Sequence, residues 1–308
     1  MDFVTTLQAS PLMLTEAAIS ERLRRRDDVT LHPMLFNTPL IYDEHGRQCL
    51  AEIYGQYREI AREAGLPLLL CAPTWRVDRE RTAAAGFDAS LNRDAVSFML
   101  ELRDRWQDRQ SPVFVGGLIG PKNDCYMPAL ALSADEAEMY HGWQIRELAA
   151  AGVDVVVGQT FPAVSEALGV ARASAKAGVA HLISFVINRH GKVLDGTVLA
   201  EAIARIDRET AGGPAGYMVN CVHPSFLLPS QQPSNLFTRL VGIQANSSSL
   251  DHDQLDGAVE LKQDDMRDWG EQMLALNREY GMKILGGCCG TDDAYLRYIA
   301  LGGENASL

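Results

Sequence analysis

The sequence predicts a single parallel (β/α)8 barrel of the TIM-barrel type, with residues 1–308 forming one α/β domain. Three observations predict it. Short apolar runs of strand length recur along the chain, helical stretches alternate with them, and glycines stand where several of those helices end.

Taken in order, the first run is Leu12-Met13-Leu14, and Leu66 to Leu70 follows the helical stretch Gln48 to Ala64. Val113-Phe114-Val115 follows Arg93 to Gln107, and Val153 to Val157 follows Ala134 to Ala150. His181 to Ile187 comes after Ala163 to Ala177, and Tyr217-Met218-Val219 after Thr197 to Thr210. Leu240 to Ile243 is the seventh run, and Met282 to Leu285 closes the series after Gln254 to Tyr280. The runs lack apolar–polar alternation, which suits strands covered on both faces. Gly65, Gly152, Gly178 and Gly281 stand where a left-handed residue stops a helix. A doubly wound open sheet has the same local pattern, but eight units in 308 residues favour closure.

Composition narrows the function classes. Apolar residues make up 47% of the chain and charged residues 22%, with a net charge of −12. That acidity argues against nucleic acid, whose phosphates need clustered Lys and Arg. The one basic run, Arg22 to Arg26, is followed by Asp27 and Asp28 and reads as a solvated helix face, as does the acidic run Asp251 to Asp256. No stretch approaches the ~18 apolar residues of a membrane span. Met1 to Ser10 carries an early acid and no apolar segment, so no secretory leader and a cytoplasmic location are expected. Gln254 to Tyr280 reads equally as barrel cladding or as the surface of a homo-oligomer.

In a parallel barrel, chemistry collects in the loops after the strands. Two of those loops carry cysteine: Cys221 follows Tyr217 to Asn220, and Cys288-Cys289 follow Ile284 to Gly287. The cysteines of a cytosolic chain are expected as thiols or metal ligands. Adjacent cysteines make a poor disulfide, whereas three thiolates suit Zn2+ and leave its fourth position for a substrate. Gly286, Gly287 and Gly290 remove bulk around the pair. Cys49, Cys71 and Cys125 read as small apolar residues.

Val219-Asn220-Cys221-Val222-His223-Pro224 and Gly286-Gly287-Cys288-Cys289-Gly290-Thr291 resemble motifs of the homocysteine S-methyltransferase family, which includes betaine- and S-methylmethionine-dependent enzymes. Gly116 to Pro121, Thr160-Phe161-Pro162 with Glu166-Ala167, and Asn246-Ser247-Ser248 add to the resemblance in the family's order. It implies a zinc ion held by Cys221, Cys288 and Cys289, and methyl transfer from a sulfonium, quaternary ammonium or folate donor to the homocysteine thiol. The substrate partners implied are a small thiol acceptor and a methyl donor.

Two departures fall where the family grips the amino-acid end of homocysteine. The Asp-Gly turn after the first strand is replaced by Glu16-Ala17, and the Glu-Thr after the fourth by Gln159-Thr160. Glu16, Ala17, Gln159 and Asn246 are therefore the candidate substrate residues, and another thiol or selenol is the alternative acceptor. His223 reads as a neighbour of the metal or a plain loop residue, and Trp75 as a donor-pocket wall or as packing. Arg76, Arg79 and Arg81 attract a carboxylate or pair with Asp78 and Glu80. A non-catalytic zinc or thiol redox sensor is the reading from another class. With no room for corrinoid domains in the chain, a corrinoid would arrive only on a separate partner protein.

Overall fold

The computed structural model describes residues 2–210, 213–255 and 260–303. Eight strands close into one barrel: β1 Met13–Thr15, β2 Leu68–Ala72, β3 Val113–Ile119, β4 Val155–Phe161, β5 His181–Phe185, β6 Gly216–Val222, β7 Leu240–Ala245 and β8 Ile284–Gly287. Each pairs in parallel with the next, and β1 closes on β8 through Met13 opposite Ile284 and Leu14 opposite Leu285.

The helices are α1 Phe3–Ala9, α2 Ser20–Arg24, α3 Glu44–Ala64, α4 Arg79–Ala84, α5 Leu91–Trp106, α6 Ala134–Ala151, α7 Val164–Lys176, α8 Leu199–Glu209, α9 His252–Leu255, α10 Met266–Tyr280 and α11 Asp293–Leu301. Capping explains several boundaries. The Asp43 carboxylate accepts from Gly46 N–H and starts α3 before Gln48, and Ser133 and Glu136 form a reciprocal capping box on α6. Gly65, Gly152, Gly178 and Gly281 all have positive φ, as expected of residues that end helices.

Three expectations change. The helical stretch Gln254 to Tyr280 is not one helix: α9 ends at Leu255 and α10 begins at Met266, where the Asp265 carboxylate caps Arg267 and Asp268 N–H. Asp256, the last residue of the acidic run, lies outside the described residues, whereas Asp251 pairs with Arg189 at 2.6 Å. β3 and β4 run beyond the apolar runs to Ile119 and Phe161, so Gln159-Thr160 lies within a strand, and β6 runs on to Val222, so Cys221 is in a strand and not in the loop after it. The short helices α1, α4 and α11 have no counterpart in the sequence reading, whereas α2 carries the start of the basic run read as a helix face.

The core has two layers. Met13, Leu69, Phe114, Val155, Val157, Leu182, Met218 and Ile284 point into the barrel, where Phe3 and Leu7 of α1 join them. The residues between them, such as Leu14, Leu68, Leu70, Val156, Ile183 and Val219, face the helices. Phe3 meets Phe114 edge-on with ring centroids 5.7 Å apart, plugging the N-terminal end of the barrel. The helices leave no membrane-spanning candidate: none described is long and apolar enough to cross a bilayer.

Candidate metal and substrate site

The inward positions change character towards the C-terminal ends of the strands. One period-two step beyond Met13, Val157, Leu182 and Met218 stand Thr15, Gln159, Ser184 and Asn220, and Gln244 lies opposite Asn220 on β7. All are buried, and they bond mostly to one another and to neighbouring backbone. Gln159 Nε2 donates to Gln244 Oε1, and Gln244 Nε2 donates to the Glu16 carbonyl at 3.3 Å. Asn220 Oδ1 accepts from Thr160 N–H at 2.9 Å and from the Ser184 hydroxyl at 2.6 Å. Thr15 Oγ1 and Asn220 Nδ2 have no protein partner.

Above this ring the regular alternation breaks. The pairing of β6 with β7 shifts between Asn220 and Val222, and that of β4 with β5 shifts between Gly158 and Phe161. Cys221 and Thr160 are the inserted residues, with φ of +53° and +64°. A regular strand would send the residue after inward-facing Asn220 towards the helices. The bulge instead turns Cys221 to the barrel mouth, at the cost of about 1–2 kcal/mol for a left-handed non-glycine residue.

Cys288 and Cys289 arrive from the turn after β8. Cys288 N–H donates to the Ala245 carbonyl at 2.7 Å, and Cys289 N–H donates to Asn246 Oδ1 at 3.1 Å. Glycine is required beside them. A Cβ at Gly287 would sit 2.0 Å from Thr291 Oγ1, and Gly290 combines φ +79° with Ser247 Oγ 2.0 Å from where a Cβ would be. The Glu21 carboxylate accepts from Gly290 N–H and ties this turn to α2.

The sulfurs of Cys221, Cys288 and Cys289 all lie within 4.8 Å of one another, with Cys221 Sγ 2.7 Å from Cys288 Sγ. All six cysteines are free thiols. Three thiolates about 2.3 Å from a tetrahedral ion stand about 3.8 Å apart, so this grouping fits a soft cation with only small side-chain rotations. Without a cation the charges conflict. Donation from Cys221 and then Cys288 holds the Cys289 thiol well below its ordinary value. Hydrogen bonds to Cys288 and Cys289, with burial, drive Cys221 well above. For Cys288 the contact with Cys221 lowers the value, but donation to Cys289 and burial outweigh it and raise the thiol. A second grouping of Asp28, His45 and Cys49 is also close enough to hold an ion. There Arg26 grips both Asp28 oxygens at 3.0 Å, and its guanidinium repels a cation.

A cavity of about 460 Å³ opens above the cysteines, lined by Glu16, Ala17, Gln159 and Asn246 among others. Burial pushes the Glu16 carboxyl up to about 8, against the pull of the Cys71 N–H that it accepts at 2.7 Å. Asn246 turns its amide oxygen to the Cys289 backbone, so that group supports the cysteine turn. His223 bonds Ser225, burial lowers its imidazole pKa, and its Nε2 stands 3.6 Å from Asp264. Trp75 Nε1 donates to Thr160 Oγ1 at 2.9 Å. Of the three arginines, Arg81 pairs with Asp78. Arg76 lines the cavity and Arg79 does not. Cys125, expected as packing, also lines it. Asn220, part of the motif that carries Cys221, and Gln244, which ends an apolar strand run, join the site as its floor, a role that only the closed barrel reveals. Glu21 carries no local signal, because an acid in a first helical turn is ordinary.

A family model described as homocysteine S-methyltransferase matches residues 4–301. Among solved structures, the metallated form of the homocysteine methyltransferase MmuM from Escherichia coli superposes with a TM-score of 0.74 at 19% identity, covering 96% of this chain and 98% of that one. Its oxidized form gives 0.73 at 18% identity, with 96% of each chain covered. At that identity the superposition speaks for the fold. No curated protein sequence matches the chain.

Proposed function

The chain belongs to the homocysteine S-methyltransferase family, and from that premise we propose that it methylates a thiol, homocysteine giving methionine, at a zinc ion held by Cys221, Cys288 and Cys289. The observation that carries this is the convergence of three sulfurs within 4.8 Å at the mouth of a substrate-sized cavity. The Escherichia coli neighbour is known in a metallated and an oxidized form, in keeping with a metal site that is sensitive to oxidation. Zinc, when bound, supplies a Lewis acid that keeps a thiol ionised near neutral pH.

The chain's own residues do the rest by position. In the methyl transfer the acceptor sulfur forms a bond to the methyl carbon while the donor's sulfonium or ammonium heteroatom takes the breaking pair. Such a displacement needs alignment, which a rigid barrel mouth supplies. The Gln159–Gln244 pair and the Glu16 carbonyl close the floor beneath the cysteines, and Trp75, fixed on Thr160, presents an aromatic wall suited to a cationic donor. No side chain need act as a base once the acceptor is a thiolate.

One observation favours a second acceptor reading, a thiol or selenol other than homocysteine. Gln159 is neutral and already committed to Gln244, and burial favours the protonated form of Glu16. Neither offers the ionised carboxylate that an amino group prefers.

Zinc content of reduced protein, compared between wild type and Cys288→Ala and followed by methyl transfer to a thiol panel, tests the proposal. One zinc per chain, lost in the variant together with methyl transfer, is expected. A metal-free wild type after anaerobic reconstitution, or a Cys288→Ala protein that still transfers methyl groups, defeats it. Strong preference for homocysteine within the panel retires the second acceptor reading.

A further inference from the structure

Among the described residues, Arg76 is a cation without an ion-pair partner at the wall of the cavity. Its guanidinium carbon lies 4.6 Å from the centre of the Trp75 ring and 5.5 Å from that of Phe36, two rings that themselves pack 5.8 Å apart. These contacts stabilise the charge but accept none of its N–H groups. Arg76 Nε is buried with no hydrogen-bond partner, and among the described residues no carboxylate lies within 4.0 Å of the guanidinium. Of the other basic residues nearby, Arg81 pairs with Asp78, Arg25 with Glu21 and Lys262 with Glu260, while Arg24, which also lines the cavity, is exposed to solvent.

The arrangement that holds Arg76 is built. Trp75 is anchored on Thr160, and Gly120 makes room for its indole, since a Cβ there would come 2.6 Å from Trp75 Nε1. The acids facing the same cavity are also committed, Glu16 to Cys71 N–H and Glu21 to Gly290 N–H and Arg25. A half-buried guanidinium with a buried, unbonded Nε, beside acids that are all engaged, is the complement of an anion, and its planar fork matches a carboxylate.

We infer that Arg76 is the anion-recognition residue of this cavity and takes the carboxylate of a substrate. The inference rests on the methyl-transfer reading only for the molecule that bears the carboxylate, the thiol acceptor or the onium donor.

Equilibrium binding to the metal-loaded protein, which needs no turnover, separates the two questions. The probes are two pairs matched except for the carboxylate: 3-mercaptopropionate against 1-propanethiol, and glycine betaine against tetramethylammonium. Calorimetric titration of wild type, Arg76→Met and Arg76→Lys is expected to show a wild-type preference for the carboxylate member of one pair. Arg76→Met should weaken that member roughly 10- to 100-fold and leave its partner unchanged, with partial recovery in Arg76→Lys. Selectivity in the thiol pair assigns the carboxylate to the acceptor, and selectivity in the ammonium pair assigns it to the donor. No preference in wild type, or equal weakening of both members in variants that melt like wild type, overturns the inference. Carboxylate selectivity that depends on Arg76 without any methyl transfer leaves the inference standing and sinks the reaction. Methyl transfer with an unchanged KM in Arg76→Met does the reverse.

Discussion

The two ends of the barrel lumen use the same strands by opposite rules. At the N-terminal end Met13, Leu69, Phe114, Val155 and Ile284 pack against Phe3 and Leu7, with no polar side chain among them. At the C-terminal end the same lumen holds Gln159, Ser184, Asn220 and Gln244, two left-handed non-glycine residues, an Asn220 amide nitrogen without a partner and a carboxyl raised to about 8. Stability and chemistry are thus stacked in separate layers. The closed ladder and dry plug below over-determine the strands, and this lets the upper layer keep strain and unpaired groups.

The sharpest way to break the comparison is to perturb each layer and read the other. Cys288→Ala should cost several kcal/mol of transition-state stabilisation, about 10²- to 10⁴-fold in kcat/KM, with little change in the denaturation midpoint of the metal-free protein. Phe114→Ala should do the opposite, removing about 3–5 kcal/mol of stability while the folded fraction retains one metal per chain. If Phe114→Ala lowers metal stoichiometry in the folded protein, the layers are not separable.

A smaller effect concerns Glu16. Its folded pKa, about 8, lies above its unfolded value, so the folded state binds more protons than the unfolded one between roughly pH 4.5 and 8. The sign follows directly. Its contribution is most favourable below pH 4.5 and is lost as the pH rises through that window, at no more than about 1.4 kcal/mol per pH unit. Denaturation of Glu16→Gln across this range should lack the slope that wild type shows, and parallel curves would refute the assignment.

Smaller still is the strain at Cys221. In metal-free protein, Cys221→Gly should be about 1 kcal/mol more stable than Cys221→Ala, because glycine adopts φ +53° freely. The same pair of substitutions at Leu182, in the lower layer, should rank the other way by up to about 1 kcal/mol, glycine being the poorer strand residue. An effect of similar size, about 0.5–1.5 kcal/mol, is expected from Trp75→Phe for the lost bond to Thr160, read by thermal melting.

Much of this was legible from local pattern. Runs such as Leu66 to Leu70, and glycines such as Gly65 and Gly281, mark strands and helix ends because each obeys a rule that neighbouring residues suffice to state. Cys221 and the Cys288-Cys289 pair fall on one rim by the same kind of rule, since parallel strands in a closed barrel all end on the same side. The non-helical stretch 260–265 was not legible, because nothing from Gln254 to Tyr280 is as disruptive to a helix as proline.

The sequence alone determined the α/β class, the number of units and the identity of the clustered cysteines, all consequences of composition along one dimension. Tertiary structure decided which side chains face the lumen. Strands buried on both faces are apolar throughout, so Val156 and Val157 look alike in sequence although one meets a helix and the other the barrel interior. It also decided the bulges that aim Cys221 and Thr160, and the pairing that gives Arg81 to Asp78 while leaving Arg76 to two aromatic rings. Those outcomes depend on closing a ring of strands and on contacts between residues far apart in the chain, Trp75 with Thr160 and Cys221 with Cys288 among them, and local pattern does not encode distance in space.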